Sequence, residues 1–323
     1  MYKFKPILKS MLWGGDKIIP YKEVESDKKQ VGESWEISGV KDNESVVAEG
    51  VDAGMKLPEL IERDKAALLG RSNYERFGKE FPLLIKFIDA RQDLSIQVHP
   101  NDKLAWERHQ SKGKTEMWYV IHAEEGACIY AGFQEQLTPE AYARKVADGT
   151  ILDSIAKHEV HSGDVFYLPA GRIHAIGKGV LLAEVQQTSD LTYRIYDWDR
   201  VDAEGKGREL HTALAIDAID FEADADLLHR KYNLAMGGEA KVIESPYFTM
   251  VMHDVAGSKE LDRSMLDSFI IYIAIKGDMT IVADGASESL KEGEVVLIPA
   301  EMNDIHIEGN GRIMEVYIGE LNE

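Results

Sequence analysis

The segment 163–200, GDVFYLPAGRIHAIGKGVLLAEVQQTSDLTYRIYDWDR, contains the spacing that decides the fold. It opens on a glycine, and Pro169, Gly171 and His174 complete the pattern G-x5-P-x-G-x2-H. This pattern predicts a strand over residues 165–168, followed by a tight turn. In the turn, proline fixes φ and Gly171 permits a bend that a side chain would obstruct. His174 then starts the return strand, which would hold an imidazole at a fixed depth inside a β-barrel.

Composition limits the kinds of partner. The chain has 323 residues and is 44% hydrophobic, which allows a large core and suggests about two domains. Its formal net charge of −20 argues against nucleic acid and anionic membrane surfaces as partners. The single cysteine, Cys128, excludes an internal disulfide and a cysteine-rich zinc site. Residues 1–15 do not form a signal peptide, and no apolar run is long enough for a membrane span, so we expect a cytoplasmic protein.

The run LSIQVHPND, residues 94–102, alternates apolar and polar residues. With the two-residue period of a strand, Ser95, Gln97 and His99 lie on one face. Pro100 ends this strand, and a short helix follows with an Asn or Asp at its start. A strand with polar side chains inside and apolar ones outside predicts a barrel lined for chemistry.

The run KTEMWYVIH, residues 114–122, predicts a second strand of this kind. Lys114 and Glu116 share a face with two apolar residues, so Glu116 points inward. A buried unpaired carboxylate costs several kcal/mol, on the order of the burial penalty of an ion. Glu116 must therefore be paired, hydrogen-bonded or metal-bound, which connects it with His99 and His174; the alternative is a structural salt bridge.

Two further predicted strands carry candidate pocket residues. Residues 180–187 place Glu184 on one face, and the strand that follows places Asp190 and Arg194 on a common face. Asp190 and Arg194 are therefore expected side by side on the pocket wall, unless they form a structural ion pair.

The remaining elements define the domain organisation. We expect one helix over Leu57–Leu69, since Gly70 lies just past its end, and a helical insertion over Thr138–His158. From residue 241 onward the chain is rich in predicted strands, and Gly293-x5-Pro299 repeats the first half of the motif without its histidine. We therefore predict a metal-binding catalytic domain over 1–240 and a degenerate domain without metal over 241–323.

Four inward-facing side chains from three barrel strands converge in this interpretation. Two imidazoles, a carboxylate and an amide oxygen suit Zn²⁺ with an open coordination position. The two-His-one-carboxylate subset also suits non-haem Fe(II). The candidate metal ligands are Gln97, His99, Glu116 and His174.

These motifs also carry a family resemblance. The spacing G-x5-P-x-G-x2-H resembles the second metal-binding motif of the cupin superfamily. The runs LSIQVHPND, GKTEMWYV, LPAGRIHAIG and QQTSDLTYRIYDWDR closely resemble type I phosphomannose isomerase in its short bacterial form, over most of residues 1–235. The resemblance implies a mainly β fold of two cupin (jelly-roll β-barrel) domains, with a helical insertion in the first.

The resemblance also implies an activity, the interconversion of mannose 6-phosphate and fructose 6-phosphate with Zn²⁺ on the four ligands above. It places Ser95 and Lys114 near the phosphate, and Glu184, Asp190 and Arg194 near the sugar, with Arg194 as the catalytic residue. The partner would be a small-molecule sugar phosphate; the sequence does not specify an oligomeric state.

The chemistry of such an isomerisation agrees with these residue types. Zn²⁺ acts as a Lewis acid, and Arg194 stays protonated and stabilises an enediolate. Lys114 and Ser95 would form the local basic pocket that a phosphate dianion needs in so acidic a protein. Three candidates stay open for the base: Glu184, Asp190 and a zinc-bound hydroxide. Two other functions also stay open: a non-haem iron oxygenase, and a sugar-phosphate sensor without turnover.

Overall fold

The computed structural model describes residues 1–201 and 204–319, and the chain in these ranges is mainly β. The helices are short: α1 Ile18–Lys22, α2 Leu57–Asp64, α3 Ala66–Leu69, α4 Arg71–Phe77, α5 Asp102–His109, α6 Pro139–Ala147, α7 Thr212–Ile216 and α8 Ala225–Leu228, with a 3-10 helix at Ile151–Ser154. None of the helices in the described ranges is long and apolar enough to cross a membrane.

The strands of the first three quarters of the chain are β1 Ile7–Gly15, β2 Val31–Ile37, β3 Leu83–Ala90, β4 Ile96–Val98, β5 Glu116–Ala123, β6 Cys128–Phe133, β7 Ile155–Glu159, β8 Val165–Leu168, β9 His174–Ile176, β10 Val180–Gln187, β11 Tyr193–Tyr196 and β12 His229–Arg230. In the described residues they form a seven-stranded sheet, ordered β1-β2-β3-β10-β5-β8-β12, and a five-stranded sheet, ordered β11-β4-β9-β6-β7.

The two sheets pack face to face, as a jelly roll requires. Trp118 and Leu182 from the seven-stranded sheet share one apolar core with Ile129 and Ile176 from the five-stranded sheet. Because side chains alternate along each strand, residues two positions from these apolar ones, namely Glu116, Glu184 and His174, face the same interior. This interior is where the predicted ligand strands β4, β5 and β9 meet.

The C-terminal part forms a third sheet around one long strand. Its strands are β13 Glu239–Glu244, β14 Thr249–Asp262, β15 Ile270–Lys276, β16 Met279–Ala283, β17 Ala286–Leu290, β18 Val295–Ile298 and β19 Asp304–Tyr317. β19 pairs with β14, β15 and β16. The strand-rich character expected here is confirmed.

The outer face of the seven-stranded sheet packs against this third sheet. Phe87 and Met117 from the first part and Met250 and Met314 from the second part belong to the same apolar core. The division into domains over 1–240 and 241–323 stays a prediction, and the final residues 320–323 of the second lie outside the described part.

Two helix predictions were wrong in extent. The helix expected over Leu57–Leu69 is interrupted at Lys65, whose φ of 51° separates α2 from α3. The helix expected over Thr138–His158 ends at Ala147. Residues 155–159 instead form β7, because they pair with β6 and bury Ile155 against the core. In the second case strand pairing overrides the helical spacing of the apolar residues.

The turn between β8 and β9 has the predicted form. Gly171 has φ of +96°, a conformation that a glycine adopts without strain. Its N–H donates to the carbonyl of His99 at 2.8 Å, and the N–H of Arg172 donates to the carbonyl of Pro169 at 3.1 Å. The backbone of the turn is therefore tied directly to the strand end that carries the first predicted histidine ligand.

Candidate metal centre and substrate cavity

Three buried side chains from three strand ends meet between the two sheets. Nε2 of His174 lies 3.2 Å from Nε2 of His99 and 3.2 Å from Oε1 of Glu116. Nε2 of His99 lies 3.4 Å from Oε2 of Glu116. All three residues are almost completely buried. They are the only group of three or more His, Cys, Asp or Glu residues in the described ranges with metal-binding spacing.

The backbone orients both imidazoles. Nδ1 of His99 lies 2.9 Å from the carbonyl oxygen of Leu191, and Nδ1 of His174 lies 2.8 Å from that of Arg172. A carbonyl only accepts, so each Nδ1 carries the hydrogen and each Nε2 keeps a lone pair directed at Glu116. This arrangement of a second nitrogen held by a carbonyl is typical of metal-ligating histidines.

Burial and the charges at the cluster favour a neutral His99 ring beside an ionised Glu116. Burial, followed by the charge of Lys114, lowers the pKa of His99 from 6.5 to about 3. For Glu116, burial raises the pKa, but the positive charge of the neighbouring Lys114 ammonium acts against it, and the pKa lies well below its usual range. Neutral imidazole and carboxylate are the forms that bind metal.

The donor set fits a zinc ion. At metal–ligand distances of about 2.0–2.2 Å, tetrahedral ligands lie roughly 3.3–3.6 Å apart, close to the separations of 3.2 and 3.4 Å observed here. Within the described part of the chain, both buried oxygens of Glu116 accept no hydrogen bond. The Gln97 amide lies 3.3 Å from Nε2 of His174, so a half-turn of this amide presents its oxygen as the fourth donor.

Lys114 is bound to the same cluster. Its Nζ lies 3.0 Å from Oε2 of Glu116 and 3.3 Å from Nε2 of His99. Its side chain is 7% exposed. Without a metal ion, this ammonium group is the charge that balances Glu116.

A cavity of about 410 Å³ adjoins the cluster and has the size of a small-molecule site. All five residues that the sequence suggests for substrate and catalysis line it, and it also has apolar walls. The predicted residues on its lining are Ser95, Gln97, Lys114, Glu184, Asp190 and Arg194. His99, Glu116 and His174 are not on its lining and form the cluster next to Gln97 and Lys114.

Glu184 is fixed on one wall of this cavity. The carboxylate accepts a hydrogen bond from Nε1 of Trp118 at 2.7 Å through Oε2. Its Oε1 is buried, accepts no hydrogen bond among the described residues, and lies 3.3 Å from Nζ of Lys86. Trp118 in turn packs edge-on against His174, so the position of Glu184 is coupled to that of the metal ligands.

Arg194 lies on the opposite sheet, on β11. Its Nε donates to Oγ of Ser95 at 3.3 Å, and its Nη1 donates to the carbonyl of Glu209 at 3.0 Å. Asp190 is exposed on the same cavity lining. Across the residues that the structure describes, no ion pair joins Asp190 to Arg194, so both groups face the cavity separately.

Sequence reasoning missed part of the cavity wall. Lys86 is buried between Glu184 and Glu33, with Nζ 3.9 Å from Oε2 of Glu33. Trp35 donates to Glu33 at 2.6 Å, and Lys9 lies 3.2 Å above the Trp35 ring. The sequence feature that could have indicated this wall is Lys86, the one cation in the apolar run PLLIKFID, residues 82–89. A charged residue inside a buried strand requires a partner.

Comparison with known proteins identifies relatives along the whole chain. Residues 1–131 match the model of the phosphomannose isomerase type I catalytic domain, and residues 239–318 match that of the mannose-6-phosphate isomerase cupin domain. The chain is 34% identical to mannose-6-phosphate isomerase ManA of Bacillus subtilis, with 95% of each chain covered. It is 33% identical to mannose-6-phosphate isomerase of Streptococcus mutans, covering 97% of this chain and 95% of that protein.

A solved structure agrees with these relatives. The crystal structure of mannose 6-phosphate isomerase from Bacillus subtilis superimposes with a TM-score of 0.88 at 31% identity, covering 98% of both chains. Together with the cupin-domain match, this superposition confirms the predicted fold class, mainly β with cupin domains.

Proposed function

Since this chain belongs to the type I phosphomannose isomerase family, we propose that it interconverts mannose 6-phosphate and fructose 6-phosphate through a cis-enediol, at a zinc site. The observation that carries the zinc assignment is the buried His99–Glu116–His174 cluster. Two Nε2 lone pairs and a carboxylate that accepts no hydrogen bond within the described chain converge there, beside a cavity of small-molecule size.

Zinc would be held by His99, Glu116 and His174, with Gln97 as the fourth donor. When bound, the ion supplies a Lewis acid for a sugar carbonyl or hydroxyl oxygen. A divalent ion would also replace Lys114 as the charge partner of Glu116. The Lys114 ammonium is then available to an anionic substrate at the cavity wall that it already lines.

The proton transfer is assigned to Glu184. An aldose–ketose isomerisation removes the proton from C2 of the open-chain aldose and returns it to C1, so one base on one face of the substrate suffices. Glu184 lines the cavity, and its Oε1 is buried 3.3 Å from Nζ of Lys86 and accepts no hydrogen bond from the described chain, whereas Oε2 is held by Trp118. Asp190, exposed at the cavity, is the second candidate for this role.

Arg194 would stabilise the negative charge of the enediolate. Its guanidinium is held by Ser95 and by a backbone carbonyl, so little reorganisation is needed when charge develops. Burial, together with the nearby charges of Arg208 and Arg200, lowers the pKa of Arg194, but a guanidinium keeps its proton at neutral pH. Ser95 and Lys114 are proposed to bind the substrate.

The test couples the formation of fructose 6-phosphate from mannose 6-phosphate to NADPH production. We expect activity in zinc-loaded protein, loss of activity on chelation, and its return on addition of zinc. Metal analysis of protein purified without added metal separates this function from an iron-dependent oxygenase on the same fold. A zinc-replete, folded protein without turnover of mannose 6-phosphate would refute the proposal.

A further inference from the structure

The side chain of Arg172 joins the turn ahead of His174 to a distant part of the chain. Its Nη2 lies 2.6 Å from Oδ2 of Asp224 and 3.1 Å from Oδ2 of Asp220. The side chains of Arg172 and Asp224 are only 14% and 18% exposed. One guanidinium therefore connects the turn between β8 and β9 with segment 217–224, which links α7 to α8.

Backbone contacts hold the same turn from two sides. The N–H of Asp220 donates to the carbonyl of Gly171 at 2.8 Å, and the N–H of Gly171 donates to the carbonyl of His99 at 2.8 Å. A Cβ at Gly171 would lie 3.1 Å from the carbonyl oxygen of Ala218, so the two segments approach closely. The turn is therefore fixed between the strand end that carries His99 and segment 217–224.

The residue that forms this ion pair also orients a metal ligand. The carbonyl of Arg172 accepts the hydrogen bond from Nδ1 of His174 at 2.8 Å, and Nε2 of the same ring lies 3.2 Å from Glu116. Because the peptide unit is planar, a change of ψ at Arg172 would turn this carbonyl away from the imidazole. Anchoring the Arg172 side chain fixes its Cα and restricts that rotation.

Stability alone does not account for the ion pair. Nη1 of Arg172 and Oδ1 of Asp224 are buried, and neither has a hydrogen-bond partner within the described residues. Buried polar atoms without partners are destabilising, and hydrophobic residues of similar volume often stabilise such a site at least as well as a buried ion pair. The pair is better explained by what it holds in place.

We propose that Arg172, held by Asp224 and Asp220, is a positioning residue for the metal ligand His174. The ion pair fixes the backbone that presents the Arg172 carbonyl, this carbonyl holds Nδ1 of the imidazole, and Nε2 keeps its direction toward the metal. The inference rests on the metal centre of the proposed function and does not depend on the identity of the sugar substrate.

The test measures the zinc affinity of each variant by competition with a chromogenic chelator. Replacing a group that orients a metal-ligating histidine typically costs 10- to 100-fold in metal affinity, and we expect a loss of about this size in Arg172→Met. Arg172→Lys should recover part of the loss, because its ammonium still pairs with a carboxylate. Asp224→Asn keeps the side-chain volume and should also weaken zinc binding, so it carries the test if Arg172→Met does not fold.

Arg108 provides a matched control. Its guanidinium pairs with Asp217 at the start of segment 217–224, but it belongs to α5 and not to the turn that carries His174. Arg108→Met therefore removes an arginine–aspartate pair from the same segment without removing a support of the ligand. We expect this variant to bind zinc as the parent protein does.

Cobalt(II) bound in place of zinc gives a readout that a loss of stability alone would not change. Its visible absorption depends on the geometry of the ligating atoms, so the spectrum should change in Arg172→Met and match the parent in Arg108→Met. A parent that binds zinc without isomerising mannose 6-phosphate, with both changes present in Arg172→Met, contradicts the proposed function and supports the role of Arg172. An active parent whose folded Arg172→Met and Asp224→Asn variants keep its zinc affinity and cobalt spectrum overturns this inference alone.

Discussion

Replacing Glu116 by Gln separates the two roles that this carboxylate has in the structure, as a charge partner and as a metal ligand. The two side chains have nearly the same shape, and within the described residues the Glu116 oxygens accept no hydrogen bond that the change would remove. The main effect is therefore the loss of a negative charge from a site with no solvent exposure. The Lys114 ammonium, 3.0 Å away and 7% exposed, is then left buried without a carboxylate.

The size of this effect follows from the burial of both partners. Breaking a buried ion pair by removing one member costs about 3–5 kcal/mol, because the remaining charge is uncompensated. We expect the unfolding free energy of metal-free Glu116→Gln to fall by roughly this amount. Adding Lys114→Met should restore much of the stability, because it removes the orphaned charge and keeps the aliphatic volume.

The assay is urea unfolding of the metal-free parent, both single variants and the double variant, followed by zinc titration of each folded protein. Both proteins that carry Glu116→Gln should bind zinc far more weakly, whatever their stability. If metal-free Glu116→Gln is as stable as the parent, or if the double variant is no more stable than Glu116→Gln, Lys114 and Glu116 do not form a buried ion pair of this strength. Parent-like zinc affinity in Glu116→Gln removes this residue from the ligand set.

Three other outcomes test the remaining assignments. His174→Ala should lose zinc and isomerase activity together, whereas Arg194→Ala should keep its zinc and lose turnover. Metal analysis measures the zinc content of each variant, and the coupled assay measures its isomerase rate. A near-normal rate in Arg194→Ala excludes this residue from the mechanism. Glu184→Gln should lower kcat by about 10²–10⁴-fold, as expected for loss of a general base, with zinc content unchanged. If Asp190→Asn shows this loss of kcat and Glu184→Gln does not, Asp190 is the base. The metal-free protein should lose stability as the pH falls from about 6.5 towards 3. Folding lowers the pKa of the His99 imidazole from 6.5 to about 3. Between these pH values the imidazole of the unfolded chain binds a proton that the folded chain excludes, which favours unfolding. Urea unfolding at several pH values should show a weaker loss in His99→Gln, and an identical slope would contradict the assignment of a neutral buried ring.

Much of the site was predictable because strand periodicity is a local property. The alternation in LSIQVHPND places Ser95 and Gln97 toward the cavity and Ile96 and Val98 into the apolar core on the other side of the strand. The same period places Glu116 inward. The turn pattern ahead of His174 was equally readable, because proline and glycine restrict the backbone in ways that depend on few neighbours.

The sequence-based predictions failed where the local structure depends on residues that are far apart in the chain. Residues 155–159 have apolar spacing compatible with a helix, yet they form β7 because β6 offers them a pairing edge. The cavity wall formed by Glu33 and Lys86 was not predicted, because the two residues come from different strands. They approach only when β2 pairs with β3.

The amino-acid sequence alone determined which side chains of each strand point inward, and hence the donors and the type of metal site they can form. Only the tertiary structure decided that Nε2 of each histidine faces Glu116 and that Lys114 balances this carboxylate. The physical reason is range. A two-residue period is set by neighbouring residues, whereas distances of about 3 Å between side chains far apart in sequence exist only after strand pairing and core packing have fixed the backbones that carry them.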